Sequence, residues 1–203
     1  MNNSNETEAI VNKIVIVQVT RIGDLLQTFQ AACTLKSTYP TAELHLIARR
    51  QFAQGLQFLL KNVFDKIIYL DIRDFVGTDP LIELAEVRAN LHNWLAPLAH
   101  EKYDLLLNLS WSESSSLLST LVAAKYKLGL RKNTLNKTVI TDEWSAFVFS
   151  FVMGSNLNPF SLVDIYRNMM AKGLPPYQAA AFFPQAREIH YDFVVHPFAS
   201  TPK

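Results

Sequence analysis

The chain has 203 residues, 49% of them hydrophobic and 18% charged, with 19 lysines and arginines against 18 acids for a formal net charge of +1. That composition is too apolar for intrinsic disorder, long enough for one sizeable core, and free of the basic field that marks nucleic-acid binders. One cysteine, Cys33, excludes an internal disulfide and reads as a buried, reduced thiol of a cytoplasmic protein. Residues 1–12 are polar and acidic, without the basic start and apolar run of a secretory signal, and predict a flexible N-terminus.

Val11 to Val19 is almost continuously β-branched and lacks the apolar/polar alternation of a one-sided sheet, so it predicts a strand buried on both faces. A turn through Thr20, Arg21, Ile22 and Gly23 leads into a helix from Asp24 to Thr38, with Leu25, Phe29, Ala32 and Leu35 on one stripe and Tyr39-Pro40 as its stop. Further strands are predicted over Glu43–Ala48, Lys66–Leu70, Tyr103–Leu109 and Tyr126–Leu130, and helices over Gln51–Leu60, Leu81–Leu98 and Trp111–Ala124. Strands alternating with helices predict an α/β fold with a doubly wound parallel sheet. Arg131 to Asp142, with Lys132 and Lys137, reads as an exposed basic loop.

The apolar run from Trp144 to Gly154 falls short of the roughly 20 residues that cross a membrane. It fits a core helix, a strand, or a surface patch that reaches toward a lipid. A helix from Ser161 to Lys172 is closed by Gly173-Leu174-Pro175-Pro176. Residues 13–172 therefore form one domain and 173–188 a linker. An apolar strand is expected at Tyr191–His196, and with it the start of an incomplete second domain over 189–203.

Ligands of open α/β sheets gather outside the carboxyl ends of the strands, so Asp24, just past the end of the first strand, is held over that crevice. The same acid also suits the first turn of a helix, where exposed amides and the macrodipole stabilise negative charge. Gly23 suits a tight turn with close backbone approach. Arg21 either neutralises an anionic ligand or lies in solvent, and Thr20 offers a hydroxyl beside it. Ser110 and Glu113 fit a capping box for the helix that follows. Alternatively Ser110, Trp111 and Ser112 line the crevice with two hydroxyls and an aromatic face suited to a sugar.

His45, His92, His100, His190 and His196 show no metal-ligand spacing, and no Asp-x-Asp pair is present, so no metal is expected. Glycine-rich dinucleotide and triphosphate loops are missing, as is a Gly-x-Ser-x-Gly elbow.

Four blocks in register resemble glycosyltransferase family 9, the heptosyltransferases of lipopolysaccharide core synthesis. They are the Arg21-Ile22-Gly23-Asp24 turn, Tyr103-Asp104 through Lys127-Leu128-Gly129-Leu130, Asn158 through Tyr166, and His196-Pro197-Phe198-Ala199-Ser200. The last departs from the family at Phe198, where glycine is usual, and glutamine, glycine and arginine are usual around Ser110–Ser112. The resemblance implies the acceptor-binding, Rossmann-like N-terminal half of a two-domain GT-B enzyme. In it Asp24 is the base, and Thr20, Arg21, Gly23, Ser110, Trp111, Ser112, Lys132 and Lys137 are on the acceptor side. Ser200, Thr201 and Lys203 begin the donor site.

It also implies an ADP-sugar donor, a glycan or glycolipid acceptor, no metal, and a cytoplasmic protein with peripheral contact at the inner membrane. Three lone donor-site residues on a terminal segment are not expected to hold a diphosphate, because ordering them costs about 1–2 kcal/mol per residue. Two other classes stay open: a non-catalytic α/β module that binds a glycan or a protein, and a flavodoxin-like nucleotide binder.

Overall fold

A computed structural model describes residues 11–71, 84–154 and 160–170. The expectations for residues 1–10, for the linker and for 189–203, including Ser200, Thr201 and Lys203, lie outside the described residues. In chain order the elements are β1 (Lys13–Gln18), α1 (Ile22–Thr38), β2 (Glu43–Arg49), α2 (Arg50–Ala53), α3 (Gln57–Leu60), β3 (Lys66–Leu70) and α4 (Leu84–Ala99). They continue as β4 (Tyr103–Asn108), α5 (Glu113–Leu121), β5 (Ala124–Lys132), β6 (Thr138–Ile140), α6 (Glu143–Gly154) and α7 (Leu162–Met170). The strands form one sheet in the order β3-β2-β1-β4-β5-β6, parallel throughout except for β6, which runs against β5. This is a doubly wound order, with its switch point between β1 and β4. It is not the 2-1-3-4-5 order of flavodoxin-like sheets.

The unbroken apolar run of β1 follows from two cores. Ile14 and Ile16 join Leu44, Leu46, Ala48 and Leu107 under α1, α6 and α7. Val15, Val17 and Val19 join Ile47 and Leu106 under Leu98 of α4 and Leu118 and Val122 of α5. Each such side chain, once buried, contributes about 1.5–3 kcal/mol.

Several elements differ from expectation. The helix expected over Gln51–Leu60 is two short ones, α2 and α3, divided by a turn at Gln54–Leu56 that contains the poor helix former Gly55. The expected basic loop is a hairpin. β5 continues to Lys132, which pairs with Thr138, and the turn is held by Asn133, whose Oδ1 accepts the amides of Leu135 and Lys137. Asn136 takes the left-handed conformation at φ 58° that asparagine tolerates. The apolar run 144–154 is helix α6, with Val148 fully buried and Trp144, Phe147 and Phe160 meeting edge to face. Among the described residues no helix is long and apolar enough to cross a membrane.

At the amino edge of the sheet, the Tyr103-Asp104 block holds strands together. Asp104 Oδ2 accepts the amides of Asn12 and Lys13, and Oδ1 accepts from Lys125 Nζ at 2.6 Å. Buried His45 contacts the Tyr103 hydroxyl at 2.7 Å and Glu43 at 2.6 Å. Glu101 takes one ammonium on each oxygen, from Lys13 and Lys66, and Lys13 also reaches Glu43. Glu43, His45 and Glu101 are close enough to suggest a metal site, but both carboxylates are already matched by lysines.

The Lys13 and Lys66 ammonium groups lower the Glu101 carboxyl from 4.5 to about 2. A depressed acid stabilises the fold above its unfolded value and loses that contribution as pH falls through its folded value. Glu101→Gln is therefore expected to lower stability at neutral pH and to flatten the loss between about pH 4.5 and 2 in acid-denaturation curves.

Gly129 supplies a second test. Its φ is +95°, and a Cβ there would lie 2.2 Å from the Asn108 carbonyl oxygen. Gly129→Ala is expected to cost about 2–5 kcal/mol, read as a lowered denaturant midpoint.

Candidate functional site

The carboxyl ends of β1 and β4 meet through side chains, because beyond the last paired residues the backbone groups need other partners. Gln18, fully buried at the end of β1, accepts at Oε1 from the Ser110 hydroxyl at 3.0 Å and from the amide and hydroxyl of Thr20. Its amide nitrogen donates to Thr28 of α1 and to the Leu109 carbonyl. Ser110 accepts the Val19 amide at 2.8 Å and donates its own amide to Asn108 Oδ1. Asn108 in turn donates to the Leu130 carbonyl at 2.7 Å, which also accepts from Ser119. One buried network thus joins β1, β4, β5, α1 and α5.

Ser110 is therefore part of the framework. It is fully buried and it does not cap α5. The expected box of Ser110 and Glu113 is replaced by one two residues later, in which Ser112 Oγ accepts the Ser115 amide and Ser115 Oγ accepts the Ser112 amide. The run of serines offers several caps of equal chemistry, and the network at Ser110 decides which is used.

Over this floor α1 begins with Arg21 as its N-cap. Asp24 Oδ2 accepts the Arg21 amide at 3.1 Å, while Oδ1 has no hydrogen bond among the described residues. The first-turn role is thus met by one oxygen alone. Gly23 is helical and exposed, with a Cβ meeting nothing within 4 Å, so neither a tight turn nor close packing within the chain explains it. Beneath Asp24, Tyr166 of α7 donates to the Leu109 carbonyl at 3.3 Å. Burial first, then the negative charge of Asp24, pushes its hydroxyl well above the usual tyrosine range, so it stays protonated.

On the other side of the switch point, Trp111 and Ser112 are half-buried and Glu113 is exposed. Lys132 is not a free cation. Its side chain is 12% exposed, and its ammonium pairs with Glu113 Oε2 and donates to Thr138 Oγ1, which itself donates to Glu113 Oε1. Lys132 lowers the Glu113 carboxyl below its usual value. Lys137 lies exposed in the hairpin turn and forms no ion pair among the described residues. Trp111, Ser112, Glu113, Leu130, Thr138, Ile140 and Phe149 line an open cavity of about 390 Å³ at the ends of β4 and β5.

Two sets of residues went unread in the sequence. Arg49 ends β2 and Arg50 opens α2; Arg49 Nε is buried without a partner among the described residues, and Arg50 lies 4.8 Å over the Tyr69 ring and 4.0 Å from Asp71 Oδ2. Their signal was position alone, two arginines closing an apolar strand. Ile22 and Leu26 expose an apolar pair beside Asp24.

In fold, the doubly wound sheet resembles one half of the GT-B heptosyltransferases. The chain is similar to the heptosyltransferase WaaC of E. coli solved with ADP, at TM-score 0.58 and 16% identity, over 86% of this chain and 50% of that one. It is similar also to the same enzyme with ADP-2-deoxy-2-fluoro heptose, at 0.58 and 17% identity over 82% and 51%. A third similar structure is a family 9 glycosyl transferase of Veillonella parvula, at 0.57 and 17% identity over 78% and 40%. The chain thus spans about half the length of WaaC and less of the Veillonella protein. No protein-family model and no curated protein matches it. At these identities the likeness is one of fold, and the expected fold class is the one observed.

The network makes its own prediction. Ser110→Ala would strand the buried Val19 amide, and is expected to cost about 1–3 kcal/mol and to speed hydrogen exchange at Val19. Unchanged stability would return Ser110 to the ligand-binding residues.

Proposed function

We propose that this chain is the acceptor-binding half of a GT-B glycosyltransferase, which moves a sugar from a nucleotide diphosphate to a hydroxyl of a glycan acceptor. The observation that carries the reading is Asp24. It stands at the switch-point crevice with one oxygen tied to the helix start and the other open. Transfer to a hydroxyl calls for a base within hydrogen-bond reach of the attacking oxygen, and an oriented carboxylate with a free oxygen meets that need. Gly23 supports the same reading, since the bare space over it lets an acceptor approach the first amides of α1.

The similar structures contain ADP and an ADP-sugar, which supports a nucleotide-sugar donor. In the proposed division of labour the donor is gripped by the other half of the enzyme, the acceptor hydroxyl loses its proton to Asp24, and the diphosphate leaves. Metal-independent transfer at the cytoplasmic face of the inner membrane belongs to this proposal. So do Thr20 and Arg21 on the acceptor side, and Ser200, Thr201 and Lys203 at the start of the donor grip.

In the complete enzyme, Asp24→Asn is expected to lower turnover by about 10²–10⁴-fold with donor affinity nearly unchanged. The competing view, a non-catalytic module in which Asp24 only supports the helix, expects instead a loss of up to about 1 kcal/mol of stability. Steady-state kinetics together with thermal melts of the variant separate the two, and normal turnover by a folded variant rejects the base.

A further inference from the structure

We propose that the cavity at the carboxyl ends of β4 and β5 seats an uncharged pyranose ring, so that the part of the acceptor bound there bears no phosphate or carboxylate. The proposal rests on the glycan-acceptor reading above and specifies its substrate class. Three observations carry it. The cavity, at about 390 Å³, lies within the size range of small-molecule sites and exceeds what a single water needs. Four of its seven lining residues are apolar, and two of these are the aromatic rings of Trp111 and Phe149, from β4's end and α6. A pyranose presents flat C–H faces to such rings while its hydroxyls stay at the edge.

The third observation is electrostatic. Among the described residues Glu113 is the only charged one lining the cavity, and Lys132, the cation beside it, is already bound to Glu113. The pair sums to zero, which leaves no unmatched cation in the wall for an anion. An anionic group would also face the exposed Glu113 carboxylate. A carboxylate has about four lone-pair sites, of which Lys132 and Thr138 occupy two, so the others can accept from sugar hydroxyls. This reverses the expectation that Lys132 attracts an anionic acceptor.

The test uses the 203-residue chain and residue-resolved NMR titration with three probes: methyl α-glucopyranoside, methyl glucuronide and hexanol. Methyl α-glucopyranoside is expected to bind in the millimolar range and to shift the amides of Ser112, Glu113 and Thr138. Trp111→Ala and Phe149→Ala are each expected to weaken it at least about tenfold. Because the two rings come from different elements, one variant that fails to fold leaves the other. Glu113→Gln frees Lys132 and is expected to raise affinity for the glucuronide relative to the neutral glycoside.

Tighter binding of the glucuronide than of the neutral glycoside by the unaltered chain would overturn the proposal. So would preferential binding of hexanol, no glycoside binding at all, or binding indifferent to both aromatic variants. Failure of the transferase reading shows elsewhere, as normal turnover of Asp24→Asn in the complete enzyme, and leaves these titrations unaffected.

Discussion

Gln18, Asn108 and Ser110 carry their polar side chains into the interior at the point where β1, β4 and β5 end. Parallel strands there lose their neighbours as the chain diverges into helices, and the last amides and carbonyls would be buried without partners. Such a loss costs about 1–3 kcal/mol for each group, so the three side chains replace the missing ladder. Gly129 belongs to the same constraint, for only a residue without a Cβ lets β5 come up against the Asn108 backbone. Asp142 completes it, accepting the Gly129 amide on one oxygen and the Ser145 amide at the start of α6 on the other. The crevice therefore has a rigid rim, and α1, which carries Asp24, and the loop before α5, which carries half-buried Trp111, are set by hydrogen bonds beneath.

The two sides of the sheet were legible because burial imposes periodicity. Val11 to Val19 could be read as a doubly covered strand since both of its faces are core, and the stripe of Leu25, Phe29, Ala32 and Leu35 marked α1 for the same reason. Elements set by polar geometry were not. Nothing in Thr138-Val139-Ile140 distinguishes a three-residue edge strand from a loop, and the hairpin depends on Asn133 and Asn136, whose turn chemistry shows only once β5 is extended to Lys132. Gly55 divided α2 from α3 where apolar spacing alone ran on.

The candidate site follows the same division. The position of Asp24 at the carboxyl end of the sheet was legible from its place after an apolar strand, because strand ends in such sheets face the crevice. The partners of Ser110 and Lys132 were not legible, since a serine that satisfies a buried amide and a lysine that neutralises a carboxylate have the same letters as ones that meet a ligand. What decides is the partner, and the partners here are far along the chain: Val19 lies 91 residues from Ser110, and Glu113 lies 19 from Lys132. Tyr103 and Asp104 show the converse. A recognisable pair acts at the amino edge, opposite the crevice, by tying the start of β1 to β4.

The distribution of charge along the rim has a consequence for any ligand that lies across it. Arg21 follows β1, Arg49 ends β2, and Arg50, which reaches Asp71 Oδ2 at 4.0 Å, opens α2. Past the switch point Lys132 is cancelled by Glu113, and the described lining of the cavity at the ends of β4 and β5 is otherwise aromatic, aliphatic and hydroxylic, with Lys137 exposed in the hairpin turn outside that lining. Asp24, in the first turn of α1, sits between a cationic stretch and a neutral one. Screening at physiological salt limits exposed charges to about 8 Å, so the arginines act on groups over β1 and β2 and hardly on groups beyond β4. A molecule with a charged end and an uncharged ring then has one favoured direction along the crevice, and reversing it would set the anion against Glu113 and the ring against guanidinium groups. That preference comes from the unequal charge of the strand ends rather than from a single side chain.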